Sequence, residues 1–314
     1  MVKTAFVFPG QGAQYIGMAM DYVEAHAEVK QILLDFDAEH GTDLYGIMKN
    51  GPEEALKETR FTQPAILFHS VASLYALLHE MPVEPSFVAG HSLGEFTALV
   101  VNGVLSLNDA LHIVHKRGEF MIKANAGVPF AMSAIIGLSA QEVKDICLEA
   151  EKAGLVRAVN FNTPIQTVIS GTQAGVEAAG ELAKAKGAKR VLPLPVGGPF
   201  HTPLIEKVSK WLQEEMLKVD FKDATIPVVS NVDALPETQG EAIRNKLVQQ
   251  IISPVRWVEC VEYMLSQGVT RFIEFGPQKV LSGMIKNIDK EAEVLNVDKM
   301  EDVVSVKEII LANG

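Results

Sequence analysis

Cysteine is scarce in this 314-residue chain. The two present, Cys147 and Cys260, stand far apart with no C-x-x-C, which supplies neither a disulfide framework nor a thiolate zinc site. No uninterrupted apolar run reaches the roughly 20 residues that a membrane-spanning helix needs. The N-terminus lacks the basic segment and apolar stretch of a secretory leader, and Thr4-Ala5-Phe6-Val7-Phe8 reads instead as a strand ended by Pro9-Gly10. These absences point to a reducing cytoplasm and no membrane. Basic residues are outnumbered, 28 Lys and Arg against 39 Asp and Glu, for a formal net charge of −11, so nucleic acid is not the expected partner. With 48% hydrophobic and 21% charged residues, little of the chain is left for disorder. Its length predicts one large domain with a smaller one inserted or appended.

Strand and helix signals alternate along most of the chain. The first strand, Ala5 to Phe8, runs into the glycine-rich loop Pro9 to Gln14 and a helical segment through about His26. Helical stretches follow around Val29 to Phe36 and Pro64 to Leu78, then a strand Phe87 to Ala89, then a helix Leu107 to Met121. This order predicts a mainly parallel sheet covered on both faces. Between about Pro129 and Pro195 the pattern becomes β-α-β-β-α-β: Met132 to Ile136, Ala140 to Ala153, Val156 to Asn160, Thr167 to Ser170, Gly175 to Lys186 and Lys189 to Leu194. That order is ferredoxin-like and suits a small inserted domain. Strands followed by turns are then expected at Pro227 to Asn231 and Arg271 to Pro277, a polar loop around Gln239 to Glu241, a last strand near Val294 to Val297 and a final helix around Val306 to Leu311.

The segment Gly90-His91-Ser92-Leu93-Gly94 lies between the strand Phe87 to Ala89 and a helix-compatible run from Glu95 to Val101. A chain with 24 glycines can hold G-x-S-x-G by chance, but these flanks fit a nucleophile elbow, in which small residues two positions either side of the serine avoid the strand and helix backbones. Ser92 would then sit at a helix N-terminus, where free amides such as that of Leu93 stabilise a developing oxyanion. The chemistry indicated is acyl transfer through an acyl-serine.

Ser92 needs a base. His26, His40 and His79 read as surface histidines, His69 as a core or boundary histidine, and His91 as a buttress of the elbow. His112 and His115 share one helix, but no third acid or thiol stands out to make a metal site, and no metal is expected. His201 differs: it lies in the rigid turn Val196 to Pro203, where the inserted segment rejoins the large domain and an active-site cleft is expected. A cap on the next helix is its alternative role. No aspartate is evident as its orienter.

The ordered set Gly10-Gln11-Gly12-Ala13-Gln14, Gly90-His91-Ser92-Leu93-Gly94-Glu95, Arg117 and Phe200-His201 resembles the malonyl-CoA:acyl carrier protein transacylases of bacterial fatty acid synthesis. Thr62 to Ala65, Lys116 to Gly118, Asn160 to Pro164, Gln250 with Ser253 to Trp257, and Glu274 to Pro277 extend the likeness over nearly the whole chain. The resemblance implies an α/β-hydrolase-like large domain at 1–127 and 198–314, with the ferredoxin-like small domain at 128–197. It also implies a Ser92-His201 dyad with the Gln250 backbone carbonyl as orienter, an oxyanion hole from the Gln11 and Leu93 amides, and Gln63 lining the same pocket. Arg117 would pair bidentately with the malonyl carboxylate, unless Glu119 or Glu95 occupies it as an internal ion pair. Phe200 would crowd out a 2-methyl group.

Malonyl-CoA and acyl carrier protein are the implied partners, with no cofactor and a monomeric enzyme. Carrier proteins of this pathway are acidic, and Lys184, Lys186, Lys189 and Arg190 form a candidate docking patch; their other reading is solvated charges near a helix C-terminus. Gly127 to Met132 lacks the small residues common in the family, and Gly197 stands where serine is commoner. Rival readings are a serine thioesterase or carboxylesterase, a non-catalytic interaction module, and a discrete polyketide acyltransferase.

Overall fold

The computed structural model describes residues 2–125, 127 and 129–312. Its larger sheet has six strands in the order β10-β9-β1-β2-β7-β8: β1 Thr4–Phe8, β2 Phe87–Gly90, β7 Val228–Val229, β8 Pro236–Glu237, β9 Arg271–Phe275 and β10 Glu293–Val297. All pairs are parallel except β7 with β8. The central strand β1 is buried along its whole length, and its alternation divides its side chains between two cores. Phe6 and Phe8 pack on one face with Phe68, Phe96 and Phe275; Ala5 and Val7 pack on the other with Trp257 and Phe272. A strand buried on both sides reads as a continuous apolar run, as this one does.

The second sheet is antiparallel, in the order β4-β5-β3-β6, with β3 Phe130–Ile136, β4 Val156–Thr163, β5 Gln166–Thr172 and β6 Arg190–Pro193. Helix Ala140–Ala150 connects β3 to β4 and helix Gln173–Ala185 connects β5 to β6, as the ferredoxin-like pattern predicts. Ile135 and Ile169 face those helices, against Val143, Ile146, Val176 and Ala179. Their neighbours Met132, Ala134 and Val168 face the other way and join the core of the large sheet. Backbone bonds from Phe161 N to Val255 O (3.0 Å) and from Val255 N to Val159 O (2.7 Å) also tie β4 to the segment leading into helix Trp257–Ser266. The predicted boundary at 127/128 falls on Val128, outside the described residues.

Three elements differ from expectation. The helix predicted from Pro64 begins at Thr59 and runs to Glu80, with Pro64 inside it. Pro64 has no N–H for the Arg60 carbonyl, and His115 Nδ1 donates to that oxygen instead, at 3.0 Å. This helix is long and apolar enough to cross a membrane by length and composition, and most of it is buried inside the fold. The polar loop expected at Gln239 to Glu241 is the start of helix Gly240–Gln250. Its cap is distant in sequence, since Asp223 accepts from Gly240 N at 2.9 Å, so no local signal marked it. The segment after Gln14 is turn until Met20, and its helix is only Met20–Ala25.

Candidate active site

Ser92 sits between β2 and helix Leu93–Val101, with φ 52° and ψ −102°. A non-glycine residue held at positive φ costs of order 1–3 kcal/mol and persists where its surroundings enforce it. Here they do. A β-carbon on Gly90 would overlap the Gly94 backbone, and one on Gly94 would overlap the Phe8 carbonyl. The turn is also held by Asn231, whose Oδ1 accepts from Ser92 N and whose Nδ2 donates to Gly90 O, both at 2.7 Å.

His201 is likewise held at positive φ, 61°, in a turn locked by a hydrogen bond from Thr202 Oγ1 to Pro199 O (2.7 Å). Its Nδ1–H donates to the Gln250 carbonyl at 2.8 Å. That tautomer leaves an Nε2 lone pair facing Ser92, whose hydroxyl donates to it at 3.0 Å. Burial, then the Arg117 charge, hold the His201 imidazole down to a pKa of about 3, so it is neutral and able to accept a proton at any physiological pH.

Arg117 reaches the same point from helix Leu107–Ala124. The next residue explains how: a β-carbon on Gly118 would come within 2.7 Å of the Thr59 carbonyl, so only glycine lets this helix approach Thr59–Glu80 so closely. The approach puts Gln63 Oε1 2.8 Å from Arg117 Nη1. Nη2 donates to Ser92 Oγ at 3.0 Å and to Gln250 Oε1 at 3.1 Å, and the guanidinium lies over the Phe96 ring, 5.6 Å from its centroid. Burial lowers its pKa to about 10, the Glu95 charge opposing, so it is cationic at neutral pH.

Among the described residues neither of the alternative internal ion pairs forms. Glu119 bonds Lys116 at 2.8 Å. Glu95, pushed up to about 7 by burial, accepts from Gln250 Nε2 (2.7 Å) and Asn231 N (3.2 Å). Among the described residues Arg117 has no carboxylate partner within 4.0 Å. The Gln250 amide stands between the two charges and also donates to Ser92 O at 3.0 Å.

A cavity of about 100 Å³ opens on Ser92, His201 and Arg117, bounded also by Gln11, Leu93 and Phe200, and by Met121, Met132, Leu194 and Val196. The backbone N–H groups of Gln11 and Leu93 donate no hydrogen bond within the described residues, while the Gln11 side chain donates from Nε2 to Thr59 Oγ1 at 3.4 Å. The structure thus brings together Ser92, His201, Gln250, Arg117, Gln11, Leu93 and Phe200. Gln63 is not part of the cavity wall; it stands behind Arg117, where the helix crossing puts it. His91 also lines the cavity, with its Nε2 2.8 Å from Asn162 Oδ1.

The acyl transferase domain family matches residues 5–308. The chain belongs to that family. Among acyl transferases it is similar to the malonyl CoA-acyl carrier protein transacylase of Bacillus subtilis (43% identical, covering 96% of each chain). It is similar also to the enzyme of the same name from Escherichia coli K12 (45% identical, 92% of this chain and 93% of the other). In structure it is similar to an acyl-carrier-protein S-malonyltransferase of Burkholderia pseudomallei, with TM-score 0.93, 43% identity, and 98% and 99% of the two chains covered.

Asn231 and the bridging role of the Gln250 side chain were not foreseen. The available signal for Asn231 is its place just beyond β7, at the carboxyl end of a parallel strand, where ligand sites of open α/β sheets collect. Asn231→Ala strands a buried N–H and a buried C=O, each worth about 1–3 kcal/mol. Urea unfolding should show a loss of about 2–6 kcal/mol; unchanged stability would mean that the elbow holds itself.

Proposed function

We propose that the protein transfers a malonyl group from coenzyme A to the phosphopantetheine thiol of acyl carrier protein, through a malonyl-serine at Ser92, in fatty acid synthesis in the cytoplasm. The observation that carries this reading is the buried guanidinium of Arg117. It touches the nucleophile at 3.0 Å, and among the described residues no carboxylate lies within 4.0 Å to pair with it. A cation so placed selects an acyl group with a free carboxylate and holds its thioester carbonyl against Ser92.

In the first half-reaction His201 Nε2 takes the Ser92 proton as Oγ attacks the malonyl thioester, and the tetrahedral oxyanion is held by the Gln11 and Leu93 amides at the positive end of helix Leu93–Val101. The C–S bond breaks, and His201 returns the proton to the departing coenzyme A sulfur. In the second half the carrier thiol gives its proton to His201 and attacks the malonyl-serine. The ester C–O bond then breaks and the proton goes back to Ser92 Oγ. Gln250 O holds the imidazole in place of a carboxylate. Gln63 keeps Arg117 aimed, and Phe200 limits the width beside the α-carbon. These steps need no cofactor.

The segment 128–197 would act as a separate domain that forms one wall of the thiol entrance. A groove of about 710 Å³ on it shares Met132, Leu194 and Val196 with the catalytic cavity, in line with a pantetheine arm passing there. In the candidate docking patch Lys184 and Lys186 bond Glu181 (2.7 Å) and Glu149 (3.0 Å), which leaves Lys189 and Arg190, both exposed, as its stronger members.

The test is product partition. With labelled malonyl-CoA and the phosphopantetheinylated carrier, nearly all label should appear on the carrier. Label leaving mainly as free malonate would make the protein a thioesterase.

A further inference from the structure

Three helices meet where two imidazoles face each other. His40 ends helix Ala27–His40, His112 lies on helix Leu107–Ala124, and Glu215 projects from helix Glu206–Met216. His40 Nε2 and His112 Nδ1 are 3.1 Å apart. The outer nitrogens are both turned to acceptors: His40 Nδ1 to the Phe36 carbonyl at 3.0 Å, and His112 Nε2 to a Glu215 carboxylate oxygen at 3.5 Å. A carbonyl and a carboxylate only accept, so each favours the tautomer with its proton on the outer nitrogen. Two inner lone pairs then point at one another, and something positive must lie between them.

Glu39 supplies a third donor. Its Oε1 is 3.9 Å from His112 Nδ1, and the three ligand atoms of Glu39, His40 and His112 lie within 4.8 Å of one another. Nitrogens bound tetrahedrally to zinc at about 2.1 Å stand about 3.4 Å apart, close to the histidine spacing here. The Glu39 side chain is exposed and closes the remaining distance by rotation, and among the described residues it pairs with no lysine or arginine. A small depression beside it, lined by Asp35, Glu39 and Asn108, opens to solvent.

We propose that Glu39, His40 and His112 bind a divalent transition-metal ion of the zinc class, with water at the open position. Outer nitrogens held by a carbonyl and a carboxylate are the usual support of metal-bound imidazoles. The sequence made His115 the neighbour of His112 in such a role. The structure instead turns His115 inward to Arg60 and brings in His40 from another helix. None of the three ligands borders the Ser92 cavity, so the ion would clamp helices and take no part in acyl transfer.

Calorimetric titration of the intact, chelator-treated protein with zinc chloride alone tests the proposal. Saturable one-to-one binding in the micromolar range is expected, weakened at least about tenfold in H40A and in H112A and less in E39Q, with malonyl transfer unchanged. At a hundredfold excess over Kd, zinc should raise Tm by about 4 °C. The expectation holds only if the variants keep the wild-type circular dichroism. No saturable binding up to about 1 mM zinc would mean that a shared proton fills the gap, and overturns the proposal. Binding that survives either histidine substitution in a folded variant belongs to other side chains, and overturns it too.

Discussion

Ser92→Ala is expected to abolish covalent labelling by malonyl-CoA and to lower transfer by at least about 10⁴-fold, the scale on which serine enzymes lose rate with their nucleophile. The loss should be almost pure chemistry. Alanine occupies the same strained backbone, which Gly90, Gly94 and Asn231 enforce from outside the residue. Arg117 retains its bonds to Gln63 and Gln250 (2.8 and 3.1 Å) when the hydroxyl is gone, so malonyl-CoA should still bind. The variant should therefore show a near-normal Kd for malonyl-CoA and an unchanged melting curve beside its lost turnover. His201→Ala makes the useful contrast, since it keeps the nucleophile but not its base and should label slowly. A malonyl label that persists on the Ser92→Ala protein would move the nucleophile elsewhere and undo the assignment.

The parts of this fold that sequence reasoning reached are those whose causes are local. The elbow is a strand, a turn with two obligatory glycines and a helix within fifteen residues, so steric and periodic signals coincide. The β-α-β-β-α-β order of 130–193 was legible because each element carries its own apolar face, as Ile135 and Ile169 show by packing on one side of the small sheet while Met132 and Val168 pack on the other. What escaped depends on contacts distant in sequence. Asp223 caps a helix 17 residues on. His115 replaces the donor that Pro64 lacks, from a different helix. Gln250 joins Arg117 to Glu95 across 133 and 155 residues, and no spacing rule announces such a bridge. Gln63 was read as pocket lining for the same reason: its motif gives its neighbourhood but not which side of Arg117 it occupies.

Arg117→Ala should cost malonyl transfer about 10²- to 10⁴-fold in kcat/KM, because a carboxylate bound in a buried site without its partner loses about 3–5 kcal/mol. Acetyl transfer should fall far less, or rise. The reason lies in what the guanidinium does to the base. His201 is depressed by burial and then by the Arg117 charge, and a bound malonyl carboxylate neutralises that charge, whereas an acetyl group leaves it standing. Malonyl thus restores basicity to the imidazole that must deprotonate Ser92, and acetyl does not. Removing the guanidinium lifts, for both acyl groups, the part of the depression that its charge adds to that of burial, while removing the binding that only malonyl enjoys. The sign with pH follows. A folded-state histidine pKa held low keeps His201 neutral in the free enzyme as pH falls, so the acid limb of kcat/KM for malonyl should not begin at the ordinary histidine value in the wild type. In Arg117→Ala the His201 pKa rises, and the acid limb for acetyl transfer should shift toward neutral pH. Rates of malonyl and acetyl transfer across pH, measured on both proteins, decide it. An equal fall for the two acyl groups would mean that Arg117 only braces the site, and an unmoved acid limb would remove its electrostatic hold on His201.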